Sequence, residues 1–234
     1  MVKARSVQKT VDVIDKEFLK SSPCFIGLDD YFLDRVSKLM TVRKVARHEI
    51  IWLENQPAES IYFIASGLIK LFKTSVNGKE QILKLVRPGD CFGHIGILTG
   101  GSNPESAQAL LPSVLYRMTR TDFEAVMQKS ERISFNTINT LAAEINHYIS
   151  LVEDLSLRRV NGRLAKILLE HDGEEVCRAS RVLTRSNLAA MTGTVREVVG
   201  KAVKYLELKG AIRASNSSIV IEDSNVLRKI ASLV

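Results

Sequence analysis

The 234 residues are 45% hydrophobic and 25% charged, the balance of a globular protein with one large or two small domains. No apolar run approaches the ~20 residues that cross a bilayer, and the opening MVKARSVQKTVDVIDKEFLK has no continuous apolar stretch, which excludes a spanning helix and a secretory signal and leaves a cytoplasmic protein without a membrane partner as the expectation. The net charge of +7 is uneven: residues 158–234 hold 14 Lys and Arg against 8 Asp and Glu, the footprint expected of a domain that meets a polyanion.

In chain order, residues 1 to about 40 read as helical, with apolar stripes at Val11, Ile14, Phe18 and Leu19 and at Phe32, Leu33, Val36 and Leu39, broken by Ser22-Pro23 and Gly27. From Val42 to about Arg120 short runs rich in Ile, Val, Leu and Phe alternate with turn signals. Asn77-Gly78 between Leu68–Phe72 and Gln81–Val86 is a strong hairpin signal. Many short strands at regular spacing predict a compact antiparallel barrel or jelly roll. From Ile133 the period becomes helical, and Ile138, Leu141, Ile145, Tyr148, Val152 and Leu155 recur at spacings of 3, 4, 3, 4, 3. That is an a/d seam, so a parallel homodimer along this helix is expected, with Glu144, Asn146, His147, Glu153 and Asp154 off the seam.

The last third reads as a helix from Gly162 to Glu170, stopped by His171-Asp172-Gly173, a polar connector from Glu174 to Arg181, and a second helix from Thr184 to Thr192 turned at Gly193. Thr194-Val-Arg-Glu197 has the form of a capping box and opens a third helix that Gly210 ends. Ala211–Ala214 and Ser218–Glu222 around Ser215-Asn216-Ser217 form a short β-wing. On the third helix Val195, Val199, Ala202, Val203 and Leu206 share one face, expected to pack on Leu188 and Met191 of the second. Arg196, Glu197, Gly200, Lys201 and Lys204 share the other. An α-helix fits the DNA major groove, where Arg bonds guanine bidentately and Glu accepts from the cytosine amino group. Candidate DNA contacts are therefore Thr184 and Arg185 at the start of the second helix, with Thr194, Arg196, Glu197, Lys201 and Lys204 on the third.

These motifs together resemble the CRP/FNR superfamily of bacterial regulators. The resemblance rests on Ile61-Tyr-Phe-Ile-Ala-Ser-Gly67, Asn77-Gly-Lys-Glu80 and Pro88-Gly-Asp-Cys-Phe-Gly93 in the first half. In the second half it rests on Leu183-Thr-Arg-Ser-Asn-Leu-Ala-Ala-Met-Thr-Gly193 and Arg196-Glu-Val-Val-Gly-Lys201. It implies an α+β chain: an N-terminal double-stranded β-helix (a cyclic-nucleotide-binding-like β-roll) with its helices over residues 1–130, a dimerisation helix over 131–158, and a C-terminal winged helix-turn-helix over 159–234. It also implies a TGTGA-like inverted repeat read by Arg196, Glu197 and Lys201, and contacts with RNA polymerase.

The effector-pocket candidates that the resemblance points to are Gly93, His94, Ile95, Glu105, Ser106, Tyr148 and Ile149. Here the chain departs from members that bind cyclic AMP. Gly93-His94-Ile95 replaces Gly-Glu-Leu, Pro104-Glu105-Ser106 puts a carboxylate or a proline where an arginine meets the cyclic phosphate, and Tyr148-Ile149 replaces the adenine-contacting Thr-Ser pair. A carboxylate facing a phosphate repels it, so cyclic AMP is not the expected signal and the small-molecule effector stays unidentified. Cys24, Cys91 and Cys177 include no CxxC pair and are too few for a four-thiolate cluster, so three reduced thiols and no metal site are expected. A haem- or redox-based gas sensor of the same family stays open as an alternative, with His94, His48 and His147 as candidate axial ligands for haem, and so does a ligand-binding module whose helix-turn-helix contacts protein in place of DNA. No P-loop, GxSxG or HExxH is present, so no catalytic residues and no enzyme activity are expected.

Overall fold

The computed structural model describes residues 14–171, 182–215 and 218–232. Val11, Cys177, the connector expected over 174–181 and the tip of the wing at Asn216-Ser217 lie outside them.

Two short helices come first, α1 (Lys16–Ser21) and α2 (Asp30–Ser37), each capped by an aspartate: Asp15 accepts from the Glu17 amide and Asp29 from the Phe32 amide. Leu39, expected on the second stripe, lies beyond the end of α2 and is exposed. Eight strands follow: β1 (Met40–Val45), β2 (Ile50–Trp52), β3 (Ser60–Ser66), β4 (Ile69–Thr74), β5 (Glu80–Val86), β6 (Cys91–Phe92), β7 (Ser106–Ala109) and β8 (Ser113–Thr119). A short helix, α3 (His94–Leu98), separates β6 from β7. The strands form two four-stranded antiparallel sheets, ordered β1-β8-β3-β6 and β2-β7-β4-β5, which is the double-stranded β-helix. The Asn77-Gly78 signal sits in the β4–β5 hairpin, where Gly78 takes φ +75° and its amide donates to the Ser75 carbonyl.

Between the sheets Trp52, Tyr62 and Phe92 stack at centroid distances of 5.1 to 5.6 Å among Ile64, Ile69, Leu71 and Leu115. On the outer side of the first sheet Leu19, Phe25, Leu33, Phe63, Tyr116, Phe123 and Ile133 form a second core that fastens α1, α2, α4 (Arg120–Lys129) and the start of α5 (Glu131–Leu157) to the roll.

The 27-residue helix α5 uses two faces. Ile133, Asn136, Thr137 and Glu144 are buried against the chain's own β-roll domain. Phe135, Ile138, Ala142, Ile145, Ile149 and Val152 are exposed. At 3.6 residues per turn these six fall within a band of roughly 100°. The members of the expected seam differ in exposure within this chain. Ile138, Ile145 and Val152 lie on the exposed apolar stripe, whereas Leu141, Tyr148 and Leu155 are half-buried at the border with the inward face. Periodicity alone could not separate the two faces, because the inward one is carried largely by Asn136, Thr137 and Glu144.

The C-terminal domain comprises α6 (Val160–Glu170), α7 (Arg185–Thr192), α8 (Arg196–Leu208), β9 (Ile212–Ala214), β10 (Ile219–Ile221) and α9 (Ser224–Ala231). Its core is Leu164, Leu168, Leu188, Val199, Ala202, Leu206 and Leu227. Helix α9 was not anticipated. Asp223 caps it by accepting from the Asn225 and Val226 amides, and Leu227, Ile230 and Ala231 are its buried side.

The two domains also share a core. Leu68, Phe72, Ile82, Leu85 and Leu110 of the β-roll domain meet Val182, Ala190 and Met191. Met191 therefore packs toward the β-roll and not, as expected, with the third helix.

Candidate DNA-reading face and effector site

The helix-turn-helix is built by local hydrogen bonds. Thr184 caps α7, its hydroxyl accepting from the Asn187 amide at 3.1 Å. Gly193 ends α7 with φ +67°, and the Thr194 amide turns back onto the Ala189 carbonyl at 3.0 Å. Because Thr194 still belongs to this turn, the N-cap of α8 is Val195, which supplies no side-chain cap. The expected capping box is therefore not formed: Glu197 lies one residue too early to be its partner. Val195, expected in the packed face, is 48% exposed, since a residue at the N-cap precedes the helical register that buries Val199, Ala202, Val203 and Leu206.

Arg196, Glu197, Lys201 and Lys204 are exposed and share the face of α8 opposite that packed set. Thr184 and Arg185 are exposed and Thr194 is half-buried, at the near ends of α7 and α8. Beside them stands the β9–β10 wing, where exposed Arg213 pairs with Glu222 at 2.9 Å.

The second cluster lies where α5 crosses the β-roll. Gly93 takes φ +90°, and a Cβ there would lie 2.8 Å from the Ser60 carbonyl and 3.2 Å from the Trp52 ring, so the position requires glycine. That turn aims His94, the first residue of α3, at α5. His94 Nε2 lies 2.8 Å from Glu144 Oε2 and must be the donor, because a carboxylate only accepts. Lys84 Nζ of β5 donates to Glu144 Oε1 at 3.1 Å, and the Tyr148 hydroxyl donates to it at 3.4 Å. Glu144 itself is only 4% exposed. Burial alone would raise its carboxyl, but the His94 hydrogen bond and the Lys84 charge prevail and hold it down to about 2.

Glu105, also 4% exposed, behaves in the opposite way. Burial first, and then the Glu144 charge, push its carboxyl up to about 7. Its carbonyl accepts from Trp52 Nε1 at 2.8 Å, and Ser106 Oγ accepts from the Glu54 amide at 2.9 Å.

Of the seven pocket candidates, Gly93, His94 and Tyr148 meet around Glu144, and Glu105 lies within reach of its charge. Ser106 is buried on β7 and Ile95 is half-buried on α3. Ile149 is 61% exposed on the outer stripe of α5. Sequence reasoning did not name Lys84 or Glu144 as pocket residues, and it placed Glu144 only off the seam. The usable signal was its spacing, one turn before Tyr148 and two turns after Asn136. His48 is on a positive-φ turn, and exposed His147 has Nε2 2.8 Å from the Leu83 carbonyl. Among the described residues no group of three His, Cys, Asp or Glu could hold a metal ion. No helix among them is long and apolar enough to cross a membrane.

Two family models match the chain in succession, the cyclic nucleotide-binding domain over residues 42–130 and the Crp-like helix-turn-helix domain over residues 162–230, and between them they span more than half of it. The chain belongs to the CRP/FNR family of transcription regulators. The family is one of regulators and not of enzymes. The cyclic AMP receptor protein of Thermus thermophilus is 26% identical over 213 residues, covering 91% of this chain and 98% of that protein. The CRP-like cAMP-activated global transcriptional regulator of Mycobacterium tuberculosis is 28% identical over 221 residues, covering 92% and 99%. The solved structure of FixK2 from Bradyrhizobium japonicum superposes with a TM-score of 0.74 at 23% identity over 83% of this chain and 98% of that one, a likeness of fold.

The Glu105 carboxyl gives a pH test of this site. Its folded pKa of about 7 lies above the ordinary 4.5, so the folded protein keeps a proton that the unfolded chain has released. Stability therefore falls as pH rises through that window, by up to about 1.4 kcal/mol per pH unit. The depressed Glu144 acts in a separate window, between 4.5 and about 2, where stability is lost as pH falls. Glu105→Gln should flatten the slope between pH 5 and 8 and leave the variant more stable than the wild type at the upper end, in urea titrations at both limits. An unchanged slope would show that Glu105 is ionised in the folded protein.

Proposed function

We propose that this protein is a cytoplasmic, effector-controlled transcription regulator that binds duplex DNA as a homodimer. Residues 1–130 act as the sensor, 131–158 as the dimerisation helix and 159–234 as the DNA-binding domain. The observation that carries the reading is α8, whose Val199, Ala202, Val203 and Leu206 are packed while Arg196, Glu197, Lys201 and Lys204 stand free on the opposite face of a Crp-like domain. In this reading Arg196 bonds a guanine bidentately, Glu197 accepts from a cytosine amino group, and Lys201 reaches a second guanine or a phosphate. Thr184, Arg185, Thr194 and Lys204 hold the flanking backbone. The half-site is TGTGA-like, by resemblance, and RNA polymerase is a partner on the same ground.

The exposed stripe Phe135, Ile138, Ala142, Ile145, Ile149 and Val152 supports the dimer, because an apolar row this long on a soluble helix needs a cover and two-fold pairing supplies one. Two half-sites about one helical turn apart, roughly 34 Å, follow from that symmetry.

The effector is a molecule other than cyclic AMP, even though the relatives above carry that nucleotide in their names. Two buried acidic side chains, Glu105 and Glu144, stand in the region where a cyclic phosphate would need a cation, and Lys84 and His94 are already engaged by Glu144. The same bond occupies the Nε2 that a haem iron would need from His94.

Three measurements test the proposal. Ile145→Lys should convert dimer to monomer in sedimentation, since a charge buried in an apolar seam is costly; a variant that still sediments as a dimer would remove α5 as the interface. Calorimetric titration with cyclic AMP should show no micromolar site, and stoichiometric micromolar binding would overturn the effector assignment. Selection from randomised duplexes should return a symmetric motif with guanine in each half-site. Arg196→Ala should weaken it by about 1–3 kcal/mol per half-site and relax one base pair, while Lys204→Ala should weaken all sequences alike and flatten the salt dependence. Recovery of no motif, with or without cell extract as a source of effector, would refute DNA reading by α8.

A further inference from the structure

We propose that Cys24 and Cys91 are a redox pair, which a peroxide closes into a reversible intramolecular disulfide that changes the grip of the sensor domain on α5. The two Sγ atoms lie 3.4 Å apart although the residues are 67 positions apart in sequence. Both are buried, at 1% and 4% exposure, and both are free thiols. A disulfide needs ~2.05 Å between the sulfurs, so closure requires an approach of little more than an ångström.

The surroundings give the two thiols different roles. The hydrogen bond with Cys91, helped by the Thr140 hydroxyl, lowers the Cys24 thiol against the opposing effect of burial. That same bond and burial push Cys91 up. Cys24, whose neighbours Pro23, Asn136 and Thr140 border a cleft, is assigned as the attacking sulfur and Cys91 as the resolving one. A cleft of about 580 Å³ lined by Pro23, Asn136, Thr140 and Glu144 lies beside the pair, since Pro23 adjoins Cys24 and Asn136 bonds the Cys24 carbonyl.

The chemistry balances as follows. The Cys24 thiolate attacks one oxygen of hydrogen peroxide, the O–O bond breaks, and the departing hydroxide takes up a proton to leave as water. The product is a sulfenic acid on Cys24. Cys91 then gives up its proton and its sulfur attacks the Cys24 sulfur. The S–S bond forms, the S–O bond breaks, and the hydroxyl leaves with that proton as a second water. Two thiols are oxidised by two electrons, one peroxide is reduced, and thiol exchange with a cellular dithiol reverses the step.

The pair sits between two attachments to one face of α5. Asn136 Nδ2 donates to the Cys24 carbonyl at 3.2 Å and to the Ile26 carbonyl at 2.9 Å. Three residues after Cys91, His94 holds Glu144, and Cys91 Sγ itself lies 3.9 Å from His94 Nδ1. Asn136 and Glu144 are about two helical turns apart. A close-packed interior has no slack to absorb such a displacement locally, so drawing the sulfurs together moves at least one of the two attachments.

The chemical half of this inference stands on the geometry alone, and the regulatory half rests on the DNA-binding reading above. The test uses the full-length protein, first reduced, then exposed to hydrogen peroxide, with residual thiols blocked by N-ethylmaleimide before digestion. Mass mapping without reduction should find the Cys24 and Cys91 peptides joined and two hydrogens lighter, and dithiothreitol should separate them. Cys177→Ser should keep the bond, and Cys24→Ser or Cys91→Ser should abolish it. Affinity for the selected duplex should differ about fivefold or more between the oxidised and reduced wild type, and the difference should vanish in Cys91→Ser. No joined peptide, a bond to Cys177 instead, or direct conversion of either thiol to sulfinic acid would overturn the proposal, and wild-type mapping reads all three even if a variant fails to fold. Complete closure with equal affinity in both states would overturn the regulatory half while leaving the regulator reading intact. Absence of DNA binding in both states, with the bond formed, would strike the regulator reading and with it the regulatory half, while upholding the redox pair.

Discussion

Glu144 carries a negative charge from the middle of α5 into the sensor domain, where water no longer screens it. A buried carboxylate is tolerable only when its lone pairs are met, and here three donors converge on it: His94 at the start of α3, Lys84 on β5 and Tyr148 one turn along its own helix. Losing one partner of such a group typically costs about 3–5 kcal/mol, because the remainder stays buried and uncompensated. His94 and Lys84 come from separate parts of the roll, so the carboxylate sets where α3 and β5 stand relative to the long helix. The direction of Glu105 follows from the same charge: with Glu144 held ionised, a second buried carboxyl nearby is pushed toward its neutral form.

Much of the architecture was legible because its signals are local. Asn77-Gly78 specified the β4–β5 hairpin, and Gly193 with Thr184 specified the helix-turn-helix, since each acts through backbone geometry or a side chain within a few residues. The features that escaped depend on contacts distant in sequence. Ile138 and Leu141 look equivalent to a period count, yet one faces outward and the other borders the sensor domain. Glu144 reads only as a residue off the seam until Lys84 and His94 are brought to it from 60 and 50 residues away. Met191 joins a core that includes Phe72 of β4 and Ile82 and Leu85 of β5, more than a hundred residues earlier in the chain. The capping box failed on register, since a turn that runs through Thr194 moves the helix start by one residue. Helix α9 did carry a local signal, Asp223 before an apolar spacing of three and four, that the wing obscured.

The shared core gives the two domains a defined relative placement. Lys79 Nζ donates to the Gly193 carbonyl at 2.9 Å, Gln81 Nε2 donates to the Met191 carbonyl at 3.5 Å, and a Cβ built on Gly193 would meet the Leu155 side chain at 2.7 Å. The turn that orients α8 is thus held by the β4–β5 hairpin on one side and by the end of α5 on the other. Arg158 adds a tie from just beyond α5 to the carbonyl of Ala231.

Helix α5 runs without interruption from Glu131 to Leu157, about 40 Å at 1.5 Å per residue, and Glu144 lies near its midpoint. A helix of this length, held by the roll from Ile133 to Glu144, behaves as a stiff lever beyond its last buried anchor. From that anchor to the far end is roughly 20 Å, so each degree of tilt moves Leu155, and the Gly193 turn resting on it, by about 0.3 Å. Hydrogen bonds to the hairpin tolerate only a few tenths of an ångström before they weaken. Rotations too small to alter the sensor's own packing would therefore be felt first at the seat of the recognition helix.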